Sequence, residues 1–241
     1  RAVAQKSSIP ALEGLLIHAD QQLTISGYNM QTGIRTNVFA NVVEGGDIVL
    51  NARLFGDIIR RMPDDMITFT ADEKMMVHVS CGDADFDILG LSAADYPDLP
   101  EVEDEYAVSM QQKVLRSMIE EVAFAVSTNE SRPVHTGALF EIADMSLSMV
   151  AVDGFRLAFR REKLEKLEGG AFSFVCPGSA LSEVKSICGD TEDLVTVTLG
   201  KRHILFEIGD TQLICRRLEG EFLDYKLSLI HISEPTRRTP I

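Results

Sequence analysis

Apolar and polar residues alternate in short runs along most of this chain. In GLLIHADQQLTISGYN (residues 14–29) two such runs flank an Ala-Asp turn. In MITFTADEKMMVHVSCGDADFDILGL (66–91) three runs follow one another, the last two joined by Gly-Asp. Period-two alternation bounded by turn residues predicts half-buried strands in hairpins. Three stretches change to helical spacing. Leu54, Phe55, Ile58, Ile59 and Met62 form one apolar stripe, and Ala180, Leu181, Val184 and Ile187 another. The third is Val114, Leu115, Met118, Ile119 and Val122, within a helix expected over SMQQKVLRSMIEEVAFAVST (109–128). Each follows the i, i+3, i+4 rhythm of a short helix with one buried side.

The pattern occurs twice, at a spacing of about 125 residues. Residues 14–29 correspond to GALFEIADMSLSMVAVDG (137–154), and GGDIVLNARLFGDIIRRM (45–62) to GGAFSFVCPGSALSEVKSI (169–187). Residues 66–91 correspond to LVTVTLGKRHILFEIGDTQLICRRL (194–218), and ADYPDL (94–99) to GEFLDY (220–225). Five correspondences in one order, counting both strands of the first pair, imply two copies of one α+β unit, at residues 1–105 and 106–226. Copy one has only Arg1 to Ser8 where copy two has its first helix, so an N-terminal truncation is expected. The stretch LSLIHISEPTRRTPI (227–241) matches neither copy. Its back-translation resembles a transposase adapter from sequencing-library preparation. It is read as non-native and set aside from fold reasoning.

Composition narrows the classes. Hydrophobic residues make up 45% and charged residues 25%, as in a soluble globular protein. No apolar run approaches the roughly 20 residues that span a bilayer, and a cytoplasmic location is expected. Cys81, Cys176, Cys188 and Cys215 are scattered on apolar stretches, which suits core thiols in a reducing compartment. The five histidines are isolated, so neither a metal nor a cofactor is expected. A net charge of −14 argues against a surface coated for nucleic acid but leaves room for a local basic stripe.

The ordered series SIPALEGLLI, LTISGYN, FDILGLSAADYPDLP, LFE, VAVDGFRLA and EGEFLDYK resembles the bacterial β sliding clamp family over Lys6 to Lys226. The resemblance implies tandem clamp units, with antiparallel sheets on an outer face and short helices on an inner one. It implies a processivity factor. Three units per chain and two chains head-to-tail make a ring that slides on duplex DNA and tethers the polymerase III catalytic subunit, the clamp loader and repair proteins. Such sliding needs loose, sequence-independent phosphate contacts. Candidate DNA-facing cations are Arg53, Arg60 and Arg61 in copy one, Lys113, Arg116 and Lys185 in copy two, and Lys6. Each helix carries them off its apolar stripe.

VDGFRLAF (152–159) puts Arg156 on a run that otherwise reads as a buried strand, and within this resemblance it gains a role. By position, the pocket for partner peptides takes His135, Val152, Gly154, Phe155, Arg156, Leu157 and Leu223. Arg156 either meets peptide oxygens or braces the turn through Asp153. Leu223 stands where the family often has proline, and His135 where an apolar residue is usual. Phe86 and Ile88 fall near the family's homodimer interface. That interface joins the first unit of one chain to the third of another, so a two-unit chain is not expected to close a ring. An enzyme is disfavoured. Asp95, Asp98, Asp153 and Asp224 are available carboxylates, but Asp98 and Asp224 are repeat equivalents at turns, and no phosphate loop, GxSxG or nucleophile–His pair is present. A polymerase label would reflect holoenzyme membership. The rival reading is a repeat-built peptide scaffold that never encircles DNA.

Overall fold

The computed structural model describes residues 2–103 and 106–226; the terminal stretch set aside above lies outside them. Copy one runs through β1 (Gly14–Ala19), β2 (Leu23–Tyr28), β3 (Thr32–Val38) and β4 (Gly46–Asn51) into helix α1 (Ala52–Ile59). It then continues through β5 (Thr68–Ala71), β6 (Met76–Cys81) and β7 (Ala84–Leu89). Copy two opens with β8 (Tyr106–Gln111) and α2 (Gln112–Val122), followed by β9 (Gly137–Ala143), β10 (Ser146–Val152) and β11 (Leu157–Lys163). The short β12 (Lys166–Glu168), β13 (Phe172–Pro177), α3 (Gly178–Ile187), β14 (Leu194–Leu199), β15 (His203–Ile208) and β16 (Thr211–Arg216) complete it. Both two-residue Gly-Asp hairpins carry their glycine at positive φ, 58° at Gly82 and 56° at Gly209, a conformation that costs glycine little.

The repeat extends to register. Leu16 pairs with Ser26 and Val49 in copy one, as Leu139 pairs with Val150 and Val175 in copy two. Val49 also bridges Leu91, as Val175 bridges Leu218. The copies do not keep separate sheets, however. β16 pairs with β3, from Thr211 opposite Thr36 to Cys215 opposite Thr32. The result is one nine-stranded sheet, β12-β8-β14-β15-β16-β3-β2-β1-β4, beside a four-stranded sheet β11-β10-β9-β13 and a three-stranded sheet β5-β6-β7.

Register fixes which elements share a face, because paired residues point the same way. Leu213 pairs with Ile34, Ile34 with Gly27, and the same row reaches Leu15 and Leu50. Leu213 lies in the core under α2 and α3, and Leu50 in the core under α1. All three helices therefore pack on one face of the nine-stranded sheet. Ile214, Tyr28 and Val49 line the opposite face, with Tyr96 and Leu99 over them. The copy-two core is closed by Phe140 stacked on Phe174 at 4.8 Å, both below the helices.

Four expectations need correction. Ser109, Met110 and Gln111 are strand, not helix, because they pair with Thr196, Val195 and Leu194. Leu54 is half exposed, and Met62 lies beyond the end of α1, so the buried stripe of that helix is Phe55 and Ile58. Asn51 caps the helix by accepting from the Leu54 amide at 2.9 Å. Ile88 packs with Phe55 and Ile58 in the copy-one core at 1% exposure, so its side chain is not available to an interface. Arg156 precedes β11 and sits in a turn, not on a buried strand run.

Truncating Phe140 to Ala is expected to cost about 3–5 kcal/mol of unfolding free energy. Truncating the fully exposed Phe155 is expected to change it by less than about 0.5 kcal/mol. Urea titration of both variants checks the contrast.

Candidate functional site

Two surfaces collect the candidate residues, one on the helix side of both copies and one on the far side of copy two. On the side away from the helices, Val150, Val152 and Tyr225 are buried together, with Leu139, Leu157 and Phe222 packed against them. Leu139, Phe222 and Tyr225 of this cluster also line a neighbouring cavity of 460 Å³, together with Val175, Leu218, Leu223, Glu141 and Lys226. The Tyr225 hydroxyl donates to Glu141 at 2.5 Å, and the Lys226 ammonium donates to the same carboxylate at 2.6 Å. Those two donors, the ammonium foremost, hold the Glu141 pKa below its usual range. His135 presents its ring edge to Phe222 at 5.5 Å. Burial, then the nearby Arg132, lowers its pKa and favours the neutral imidazole.

The β10–β11 turn joins two members of the apolar cluster, Val152 and Leu157. Gly154 has φ 93°, and nothing lies within 4 Å of where a Cβ would stand, so conformation alone calls for glycine here. The Asp153 carboxylate accepts from the Phe155 and Arg156 amides at 3.0 and 2.8 Å and from Arg156 Nε at 2.7 Å. The guanidinium also lies 5.8 Å from the Phe124 ring. These donors, the Phe155 amide first, draw the Asp153 pKa down to about 2. The charged residue of VDGFRLAF is thus held by its own turn.

Of the seven pocket candidates only Leu223 lines the cavity; Val152 and Leu157 pack beside it with Tyr225 and Phe222, and His135 touches Phe222. Gly154 and Arg156 belong to the turn between Val152 and Leu157 and do not line it. Phe155 is 99% exposed and forms no part of the floor. Sequence reasoning passed over Leu139, Glu141, Val175, Leu218, Phe222 and Tyr225. The repeat contained the signal: Leu139 and Val175 match Leu16 and Val49, and Phe222 and Tyr225 match Tyr96 and Leu99.

The helix face carries the cations. Arg53, Arg60 and Arg61 are exposed on or just after α1, Lys6 is exposed near the start of the chain, and Lys113, Arg116 and Lys185 are half-buried on α2 and α3. Arg60 pairs with Asp57, Lys113 with Glu192 at 2.6 Å and Arg116 with Glu120 at 3.5 Å. Lys6, Arg53, Arg61 and Lys185 make no ion pair among the described residues. Exposed pairs of this kind contribute little to stability. They do temper the local potential.

Two family models cover nearly all the described chain. The DNA polymerase III beta subunit, N-terminal domain, matches residues 1–100, and the central domain of the same subunit matches 109–224. The chain belongs to the DNA polymerase III beta subunit family. Among curated relatives, the beta sliding clamps of Bacillus subtilis and Staphylococcus epidermidis are 29% and 32% identical over 233 residues. Those alignments cover 93% of this chain and 62% of each relative, so the chain spans less than two thirds of their length. A beta subunit structure from Eubacterium rectale superimposes with TM-score 0.88 at 30% identity, over 95% of this chain and 62% of that one. A Pseudomonas aeruginosa sliding clamp bound to griselimycin gives 0.87 at 26%, over 94% and 62%. The sliding clamp fold expected from the sequence, antiparallel sheets with short helices, is the fold observed.

Asp153 has a folded pKa below its ordinary 3.8, so its bonds add stability above that value and lose it as pH falls through about 2. Asp153→Asn is therefore expected to melt below wild type at pH 7. The gap should narrow once pH drops under 3.8. Melting curves across that window check the sign; a gap independent of pH would point to shape, not charge.

Proposed function

We propose that the parent of this chain is a DNA polymerase processivity factor that encircles duplex DNA, slides on it, and tethers the replicative polymerase and the clamp loader through the cleft beside Tyr225. The observation that carries the reading is geometric. Three short helices that carry or adjoin six of the seven candidate cations share one face of a sheet continuous across both units, while the cleft opens on the far side. DNA contact and peptide docking then do not compete for surface.

Phosphate contacts from such a face are independent of sequence, because they read charge and not base edges. Pairing of Arg60, Lys113 and Arg116 with carboxylates keeps the contacts loose, which suits sliding. The cleft suits an extended peptide. Apolar anchors pack on the cluster of Leu139, Val152, Leu157 and Tyr225, and polar groups meet the neighbouring Asp153–Arg156 turn. Phe86, exposed on β7, serves the chain-to-chain interface, with Ile88 supporting it from the core. The role is that of an accessory subunit working in the cytoplasm, with no chemistry of its own; among the described helices none is long and apolar enough to cross a membrane.

One observation favours a second reading, the peptide scaffold that never encircles DNA: three of the seven cations are already neutralised by neighbours. Charge reversal separates the two. In the full-length parent, changing Arg53, Arg61 and Lys185 to Glu is expected to reduce retention on closed circular DNA more than tenfold and to flatten its salt dependence. Binding of a polymerase-derived peptide should stay unchanged. Arg156→Ala with Leu157→Ala should do the reverse. Undiminished retention after charge reversal would support the scaffold.

A further inference from the structure

A hollow of 660 Å³ lies on the side of the nine-stranded sheet away from the helices, across the seam where β3 meets β16. Strand register builds its floor. Leu16, Ser26, Arg35, Gln212 and Glu207 follow one another across β1, β2, β3, β16 and β15, so strands of both copies contribute side chains to one row. A second row, two residues along, runs Asp47, His18, Thr24 and Asn37. Tyr96 and Asp98 join the lining from the loop after β7, and Asp210 joins it from the β15–β16 turn.

Several polar groups of this lining are unpaired. Ser26 is only 4% exposed, yet its hydroxyl makes no hydrogen bond among the described residues; the Tyr96 hydroxyl donates at 3.3 Å to the Ser26 carbonyl instead. Every fully enclosed side-chain oxygen or nitrogen among the described residues has a partner, so the Ser26 hydroxyl is reached from the hollow that it lines. A hydroxyl so deep is ordinarily bonded. The Arg35 guanidinium and the Asp98 and Asp210 carboxylates also lack side-chain partners among the described residues. Their neighbours are held: His18 lies 2.5 Å from Asp47, and Gln212 donates to Glu207 at 3.3 Å.

We infer that this hollow is a second docking site, for an extended peptide segment of a partner protein that carries arginine or lysine. Charge selects the occupant. The carboxylates of Asp47, Asp98, Glu207 and Asp210 outnumber Arg35 and His18, a balance that attracts cations. A bare polyamine would meet Arg35 as a like charge and would offer it no acceptor. A peptide brings both kinds of group. Its carbonyls accept from Arg35 and Ser26, and its basic side chains donate to Asp98 and Asp210. Leu16 and the buried Tyr96 ring give the aliphatic stems of those side chains an apolar wall. The repeat supports the placement: Leu16, His18, Tyr96 and Asp98 match Leu139, Glu141, Phe222 and Asp224, which line the copy-two cavity. None of this depends on what that cleft or the helix face binds. A segment anchored here contacts both units at once, on the outer side of their shared sheet.

The test titrates the chain into a fluorescein-labelled peptide of alternating arginine and serine, read by fluorescence anisotropy. Wild type should bind it with an affinity that falls as salt rises. Asp98→Asn with Asp210→Asn should weaken binding more than about tenfold, because two charge-assisted hydrogen bonds are lost. Glu73→Gln with Glu130→Gln removes as much charge from exposed positions outside the hollow and should change binding less than about twofold. Arg35→Ala should weaken binding roughly fivefold although it makes the chain more acidic. Arg156→Ala with Leu157→Ala should bind the probe as wild type does, which keeps the hollow apart from the copy-two cleft. Circular dichroism should be the same for every variant. A wild type that leaves the peptide free at millimolar concentration overturns the inference. So does tighter binding by Arg35→Ala, or spermidine displacing the peptide at equal concentration, since either means attraction to bulk charge. Loss of binding in the Arg156 and Leu157 variant overturns it as well, by assigning the probe to the cleft.

Discussion

Pairing of β16 with β3 is the constraint on which the rest of the structure depends. It joins two units through backbone hydrogen bonds, with Thr36 and Thr211 hydroxyls 2.9 Å apart on one side and Leu213 beside Ile34. On the other side Gly33 makes room. A Cβ there would stand 2.2 Å from a Leu99 methyl, so the residue opposite Ile214 has to be glycine for Leu99 to lie across the seam. Because the seam is sheet and not linker, the units keep one register and one twist. The helices of both then fall on one face.

Copy two solves the same packing differently. Leu157 stands where copy one has Gly33, and Tyr225 where it has Leu99. Larger groups on both sides build the apolar floor beside the cleft, whereas the copy-one cleft at the equivalent place is polar, lined by His18, Asp47, Arg35 and Glu207. One scaffold thus presents a hollow of mixed lining and a mostly polar one at matching places. The difference lies in a few side chains, not in topology.

Much of this was legible in the sequence. Alternation and Gly-Asp turns gave the hairpins, and spacing gave three helices with nearly correct buried sides. The repeat gave two units and, through them, the family. The shared sheet was not legible, since alternation tells which side of a strand is buried but not which distant strand lies beside it. Ser109–Gln111 was misread because its polar ends resemble a helix start until β14 supplies a partner. Ile88 and Phe86 lie on the same side of β7, and only the position of α1 above the sheet buries one and leaves the other open. Phe155 was counted with the pocket by its position in the resemblance; the turn clamped by Asp153 holds it in solvent.

β11 belongs to three surfaces at once, and this links them. Leu157 packs with Val152 and Tyr225 beside the cleft. Arg160, on the other side of the strand, donates to the Ser117 hydroxyl at 2.6 Å on α2 and to Glu162 at 2.7 Å, and also reaches Glu121. At 21% side-chain exposure it is the most enclosed of the ion-paired arginines described, so its bonds are less screened than those of the helix-face pairs. Its backbone edge, the outermost of the four-stranded sheet among the described residues, is the third. One strand thereby ties the Asp153–Arg156 turn that precedes it to the Arg160 anchor on α2.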